Sequence, residues 1–312
     1  MKSLWNRLFA VLTAVVIVGP APLGAQVPAE QAPAKFRSAA DLVSIQASVR
    51  DKRGRPVKGL TSSDFEVLDN GQLRPIVSLR SDRESPVSLA LVVDMSGSMS
   101  VGPRIAMARK AFVSLLAQLR DGQDELAVFT FDSTLQERQP FTKNLAALGG
   151  ALDDFQPFGS TSLYDATAAA ARRLADRSAA HKAIVVLTDG IDTSSKLTAA
   201  EVSGLASSID VPVYIVATVP SVDQIALMEG IERPGSSTGA DLRDLAEWTG
   251  GRFVFAVNIV ETAVVASTLV AELRQQYILA IEAANTREWR QLQVRVRQRS
   301  ATVKARNGYF GG

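Results

Sequence analysis

The chain has 312 residues, of which 46% are hydrophobic and 21% charged, a composition that suits one large or two smaller globular domains and excludes an intrinsically disordered chain. Lys and Arg number 34 against 32 Asp and Glu; setting aside Lys2 and Arg7, the rest is formally neutral, so no global field gathers nucleic acid or an anionic membrane. Cys is absent and His181 is the single His, which excludes disulfides, thiolate zinc sites, iron–sulfur clusters, a Cys nucleophile and multi-histidine metal centres.

The first residues carry the three-part pattern of a secretory signal. Lys2 and Arg7 precede an apolar run from Leu8 to Val18, and the small residues Gly24 and Ala25 follow. Cleavage after Ala25 is expected, giving an exported protein that is periplasmic, cell-surface or secreted. Leu23 is bulky for the third position before a cut, which keeps a retained N-terminal anchor as the alternative. The apolar run is short for a bilayer span, and no later segment approaches that length. Residues 26–38 are rich in Pro, Ala and Gln and read as an extended linker.

Residues 39–82 form the next segment. Val43, Ile45, Ala47 and Val49 alternate with polar residues, the period of a half-buried strand. Phe65 and Val67 continue this, and Asn70-Gly71 is a strong turn signal. The pattern then changes. Ser88–Asp94 is a continuous apolar run, as expected of a strand buried on both faces, and Glu125–Phe131 and Ala183–Asp189 repeat it. Helical stripes lie between them, one through Ile105, Ala108, Phe112, Leu115 and Leu119, another through Leu163, Ala166, Ala170 and Leu174. Thr198 and Glu201 form a capping-box signature before a further helix. Val211–Val219 reads as a strand, 241–248 as a helix, Arg252–Ala256 as extended and 260–276 as a helix. This alternation predicts an α/β fold over 85–273, a doubly wound, mostly parallel sheet covered on both faces. Leu292, Val294 and Val296 alternate again, so residues 277–312 are expected to pair with 39–82 in a small β module, neither flank having enough strands to stand alone. Six Arg and one Lys within 287–306 read as a solvated strand face, and His181 as an exposed loop residue.

In an open parallel sheet, ligands bind beyond the carboxyl ends of the strands. Those ends are rich in oxygen donors here. The first buried strand runs into Asp94-Met95-Ser96-Gly97-Ser98, and alternation directs Asp94, Ser96 and Ser98 toward one centre. The loop Phe158–Ser162 adds a hydroxyl, and the third buried strand ends at Asp189. Two carboxylates with hydroxyls suit Mg²⁺ or Mn²⁺ retaining some water, and are too thin a set for a tight Ca²⁺ cage. Helix capping is the plainer role for Asp94 and the two serines. For Asp165, Thr188 and Asp192 the plainer roles are local pairing and turn chemistry.

Asp94-x-Ser96-x-Ser98 after a buried strand resembles the Asp-x-Ser-x-Ser signature of von Willebrand factor A domains. There it forms a metal-ion-dependent adhesion site. Thr161 in Gly-Ser-Thr-Ser-Leu-Tyr-Asp resembles the threonine loop of that family, and Asp189 in Leu-Thr-Asp-Gly its third loop, so the resemblance implies Asp94, Ser96, Ser98, Thr161 and Asp189 as the metal ligands. Ser160 is a departure, since related bacterial sequences often have Gly there, and its hydroxyl competes with that of Thr161. The flanks, with Gly-Arg-Pro-Val-Lys-Gly-Leu before Asp64-Phe65-Glu66-Val67 and with Asn307-Gly308-Tyr309-Phe310, resemble a secreted bacterial subgroup of A-domain-related proteins.

The expected function is a metal-dependent protein-binding module without catalysis, its open coordination position filled by an acidic side chain of a partner. Two alternatives stand beside it. One is a metal-dependent hydrolase or phosphotransferase with Asp94 as nucleophile, although Ser96 stands where a second Asp is expected and no matching Lys motif is evident. The other is a structural envelope protein with a vestigial site. A serine hydrolase lacks the Gly-x-Ser-x-Gly elbow around Ser96 and has only His181 as base.

Overall fold

The computed structural model describes residues 42–81, 83–154, 156–190, 192–219, 237–298 and 300–311, with backbone only for 237–241. The expected signal peptide and linker lie outside the described residues. The first strand, β1 (Leu42–Asp51), buries Val43, Ile45, Ala47 and Val49. It also buries Gln46 and Ser48, because its other face is covered as well: Gln46 donates to the Asp210 carbonyl at 2.6 Å. Next come β2 (Phe65–Asp69) and β3 (Gln72–Arg74), joined through Asn70 and Gly71 at φ 48° and 78°. Those left-handed values are what a two-residue hairpin turn needs and what Asn-Gly tolerates. β4 (Ile76–Arg80) closes this segment.

The central sheet is built from β5 (Val87–Asp94), β6 (Glu125–Phe131), β7 (Leu135–Thr142), β8 (His181–Thr188), β9 (Val213–Thr218) and β10 (Arg252–Ala256). Their order is β10-β9-β8-β5-β6-β7, and every pairing is parallel except β6 with β7. Among the described residues five helices cover it: α1 (Arg104–Leu116), α2 (Leu163–Ala175), α3 (Ala199–Ser208), α4 (Ser237–Trp248) and α5 (Ile259–Leu273). Strand alternation explains which helix goes where. Leu89, Leu91 and Val93 pack with Met107 and Phe112 of α1 and Leu269 and Leu273 of α5. Ala90 and Val92 face the other way, toward Leu163 of α2, Val202 of α3 and Leu245 of α4. Each such side chain, fully buried, contributes about 1.5–3 kcal/mol, and together they fix the ends of β5 and β8 in space. The expected capping box forms at α3, where Thr198 N donates to Glu201 Oε2 at 2.8 Å and Glu201 N to Thr198 Oγ1 at 3.3 Å.

The chain ends in β11 (Tyr277–Glu282), β12 (Trp289–Val296), β13 (Ala301–Ala305) and β14 (Gly308–Phe310). These interleave with the first strands in two four-stranded sheets, β13-β1-β11-β4 and β14-β12-β2-β3. Val43, Ile45, Phe65, Tyr277, Leu279, Leu292 and Val294 share one apolar cluster.

Two expectations about polar residues are corrected. His181 is fully buried, the first residue of β8 and paired in register with Val87, because the strand begins earlier than its apolar run. The basic run near the C-terminus is not uniformly solvated. Arg306 is 4% exposed and donates to the carbonyls of Ser207 and Ser44, with Asp210 at 3.4 Å, while Arg290 pairs with the buried Asp69 at 2.6 Å.

Candidate functional site

The parallel pairing of β5 with β8 puts Val93 beside Leu187, so the next residues, Asp94 and Thr188, meet at the carboxyl edge of the sheet. Asp94 is fully buried. One of its carboxylate oxygens accepts the Ser96 amide at 2.8 Å and the other accepts the Thr188 hydroxyl at 2.6 Å. Thr188 Oγ1 in turn accepts the Gly190 amide at 3.0 Å, so the hydroxyl is fixed as a donor toward Asp94. Burial lifts the Asp94 carboxyl from its ordinary value to about 6; the bonds from Ser96 and Thr188 pull against that, and the negative charge of Asp189 adds to it. Among the described residues no cation lies within ion-pairing distance of Asp94.

The loop after β5 is pinned by two methionines. Met95 and Met99 sink into the core, Met99 without any exposure, and between them Ser96 is buried while Ser98 faces solvent, their hydroxyls 3.1 Å apart. The 3₁₀ turn Gly97–Ser100 leads on to α1. A second loop is stitched to the first: Gly97 N donates to Gly159 O at 3.0 Å and Phe158 N to Met95 O at 2.8 Å. Gly159 sits at φ 91° with its would-be Cβ 3.6 Å from Asp132 Cβ, a place that suits a residue without a side chain. The third loop, after β8, is stitched to the second, since Thr193 N and Ser194 N donate to Thr161 O at 2.9 and 3.0 Å, and Thr161 N donates to Thr193 Oγ1 at 3.0 Å. Thr161 is buried, whereas Ser160 is exposed and accepts from Ser194 Oγ at 3.0 Å.

The structure therefore places Asp94, Ser96 and Ser98 on one loop, Thr161 on the next and Asp189 on the third, with direct bonds joining loop to loop. Asp165 is a local partner: its carboxylate accepts the amides of Lys196 and Leu197, both at 3.0 Å, and so ties α2 to the third loop. Asp192 accepts from Tyr164 N, Ser195 N and Ser195 Oγ within the same region. Two residues of consequence carry no motif signal. Thr188 reads as turn chemistry in the sequence but is the direct partner of Asp94. Arg104, the first residue of α1, reaches back so that Nη1 donates to Ser98 O at 2.9 Å and lies 3.3 Å from Asp189 Oδ2.

Residues 89–191, which hold all five of these candidate ligands, match the family profile described as von Willebrand factor type A domain. The chain carries a von Willebrand factor type A domain. Among solved structures it is similar to the PilB minor pilin from Streptococcus sanguinis (17% identity, TM-score 0.47, covering 61% of this chain and 62% of that one). It is also similar to BatB from Bacteroides thetaiotaomicron (18%, 0.48, 60% and 98%) and to proximal thread matrix protein 1 from the mussel byssus (15%, 0.49, 73% and 51%). This chain thus spans just under two thirds of the pilin's length. No curated protein sequence matches the chain. Among the described residues no helix of the A-domain protein is long and apolar enough to cross a membrane.

Proposed function

We propose that this protein is an exported interaction module whose A domain holds Mg²⁺ or Mn²⁺ through Asp94, Ser96, Ser98, Thr161 and Asp189, and that an acidic side chain of a protein partner completes the shell. The observation that carries this reading is Asp94: a fully buried carboxylate held by hydrogen bonds from Ser96 and Thr188, with the negative charge of Asp189 acting on it and, among the described residues, no cation paired with it. A buried charge is expensive unless it is paired or holds a metal. The donor set also fits the ion. Two carboxylates with hydroxyls are hard oxygen donors that leave room for water and for one external ligand, although among the described residues no group of three acidic or His side chains forms a metal site by itself.

When bound, the cation supplies a Lewis-acidic open position for a carboxylate. The protein's own residues do the rest. Thr188 orients Asp94, the buried methionines hold the serine loop, and the bonds from Thr193 and Ser194 hold the Thr161 backbone. The export component rests on the pattern of Lys2, Arg7 and the apolar run after them. A serine hydrolase is disfavoured by distance. His181 opens β8 and the site follows its far end, seven residues or roughly 23 Å away.

Isothermal titration of wild type and Asp94→Ala with Mg²⁺ and Mn²⁺ tests the reading. Wild type is expected to bind and the variant not to. Stabilisation by metal should follow mass action, about 2.7 kcal/mol at a hundred times the dissociation constant. Equal binding by both proteins moves the site elsewhere, and binding by neither favours a vestigial site. A partner captured from cell-envelope extract in Mg²⁺ and released by EDTA is the matching result for the interaction.

A further inference from the structure

The charge on the rim of this site is not what its carboxylates alone would give. Arg104 lies across the gap between the first and third loops, donating to Ser98 O at 2.9 Å with Asp189 Oδ2 at 3.3 Å. Both side chains are largely withdrawn from solvent, at 13% and 8% exposure, so their interaction is screened less than that of a surface pair. The guanidinium is also held in place. It projects from the first turn of α1, whose residues Met107, Ala108, Ala111 and Phe112 are locked in the core, and the carbonyl it grips belongs to Ser98, itself a candidate ligand.

Accepting the cation site proposed above, on which this rests, we infer that Arg104 is a built-in competitor of the divalent ion for Asp189. Among the described residues, Asp94 and Asp189 bring two negative charges to these loops, and the Arg104 guanidinium offsets part of that at Asp189. Among the described residues Asp94 has no cation paired with it, so the two carboxylates are unequal: one is held by hydrogen bonds alone, and the other is already partly neutralised from within. A divalent ion that engages Asp189 must either displace the guanidinium from Oδ2 or bind close to its positive charge. Either way Arg104 lowers the affinity of the site and sets the ion concentration at which it fills. Lys at the same position keeps the charge on a shorter, more flexible reach, and a neutral side chain removes it.

Repulsion between a unit charge and a divalent ion a few ångströms apart at a wet protein edge corresponds to a change on the order of tenfold in affinity. The experiment is isothermal titration of Mg²⁺, and separately Mn²⁺, into wild type, Arg104→Gln, Arg104→Met, Arg104→Lys and Asp94→Ala, with thermal melts of each in EDTA and in Mg²⁺. Both neutral variants are expected to bind about tenfold more tightly than wild type, and Arg104→Lys within about threefold of wild type. In EDTA the neutral variants should melt lower than wild type, because Asp189 has lost its counter-charge, and Mg²⁺ should raise them by more. Binding by a neutral variant where wild type shows none also supports the inference, since the guanidinium then blocks the site outright. Wild type binding with equal or weaker binding by the neutral variants overturns the inference and leaves the cation site standing. Absence of binding in every protein overturns both.

Discussion

Asp124 and Asp94 are both fully buried carboxylates, one before and one after a strand of the same sheet, yet the protein treats them in opposite ways. Asp124 lies at the amino end of β6. It is bonded to the Arg274 guanidinium, accepts the Arg120 amide at 2.6 Å and the Val87 amide at 3.0 Å, and has Arg120 Nη2 at 3.5 Å. Burial pushes its carboxyl up, but the bonds from Arg274 and the two amides outweigh that, and it ends below the usual carboxylate range. Asp94 lies at the carboxyl end of β5 with bonds from Ser96 and Thr188 and, among the described residues, no cation paired with it, and burial wins. The amino edge of the sheet therefore closes its charge internally and ties α5 to the strands. At the carboxyl edge, among the described residues, Asp94 is met by hydrogen-bond donors and no cation, the arrangement on which the proposed cation site rests.

Removing the internal cation from the closed edge has the largest expected effect. Arg274→Ala leaves Asp124 buried with weaker compensation, and breaking a buried pair in this way typically costs about 3–5 kcal/mol. The lower end is expected, because Arg120 and two amides remain. Urea unfolding of the variant at neutral pH measures it, and a loss below about 1 kcal/mol would show that Arg120 alone suffices. The pH dependence follows from the sign of the shift. A carboxyl lowered on folding contributes stability that is fully present above its unfolded value of 3.8 and is lost as pH falls through the folded value. Glu125, held low by Arg177 and Ser88 against the opposing pull of burial, acts in the same direction. Wild type should thus show a steep acid limb at and below about pH 4, and Arg274→Ala a shallower one.

The open edge should respond with the opposite sign. Asp94→Asn keeps the shape and the acceptor for Ser96 N but removes a desolvated charge. The carboxyl is raised from 3.8 to about 6, and each unit of such a shift corresponds to about 1.4 kcal/mol, so at pH 7 in EDTA the variant should exceed wild type by roughly 1–3 kcal/mol. For a carboxyl raised on folding, this cost of ionisation is in full force above about pH 6 and absent below 3.8, so the advantage should fade as pH is lowered between those values. Adding Mg²⁺ should reverse the ranking, because only wild type gains from the ion. Unfolding curves in EDTA and in Mg²⁺ decide it. A variant less stable than wild type in EDTA would mean that the bonds from Ser96 and Thr188 dominate over burial.

Both edges were legible in the sequence to different depths. The uninterrupted apolar runs that become β5, β6 and β8 announce strands buried on two faces, and strand ends are where Asp94 and Asp189 stand out. β7 is invisible by the same logic. Leu135–Thr142 is mostly polar and contains Pro140, because it is an edge strand with solvent on one side, and only pairing with β6 makes it a strand. Thr188 precedes Asp189 and looks like ordinary turn chemistry. Its bond to Asp94 depends on the register between β5 and β8, which spans 94 residues of chain and leaves no local trace. Arg104 is similar: nothing in its neighbours indicates that a helix-start arginine reaches a loop more than eighty residues away.

The smallest expected effect comes from Asp165, a carboxylate that is satisfied by backbone alone and so lies between the two extremes. It accepts the amides of Lys196 and Leu197 from the first turn of α2, and the segment it restrains also carries the Thr193 and Ser194 bonds to Thr161. Asp165→Ala should cost about 1 kcal/mol of stability, the ordinary worth of one or two exposed hydrogen bonds. Its effect on ion binding should be larger in proportion. Residues that hold the ligands of a metal without touching it commonly change affinity by 10–100-fold, and with the third loop still anchored by Asp192 a loss near the lower bound is expected. Titration with Mn²⁺ and urea unfolding on the same protein separate the two. If affinity is unchanged while stability falls, the loop is held by its bonds to Thr161 and Asp192 and Asp165 serves the fold alone. If affinity falls about tenfold with little change in stability, the open edge depends on loops whose positions are set one shell away from the oxygens that meet the ion.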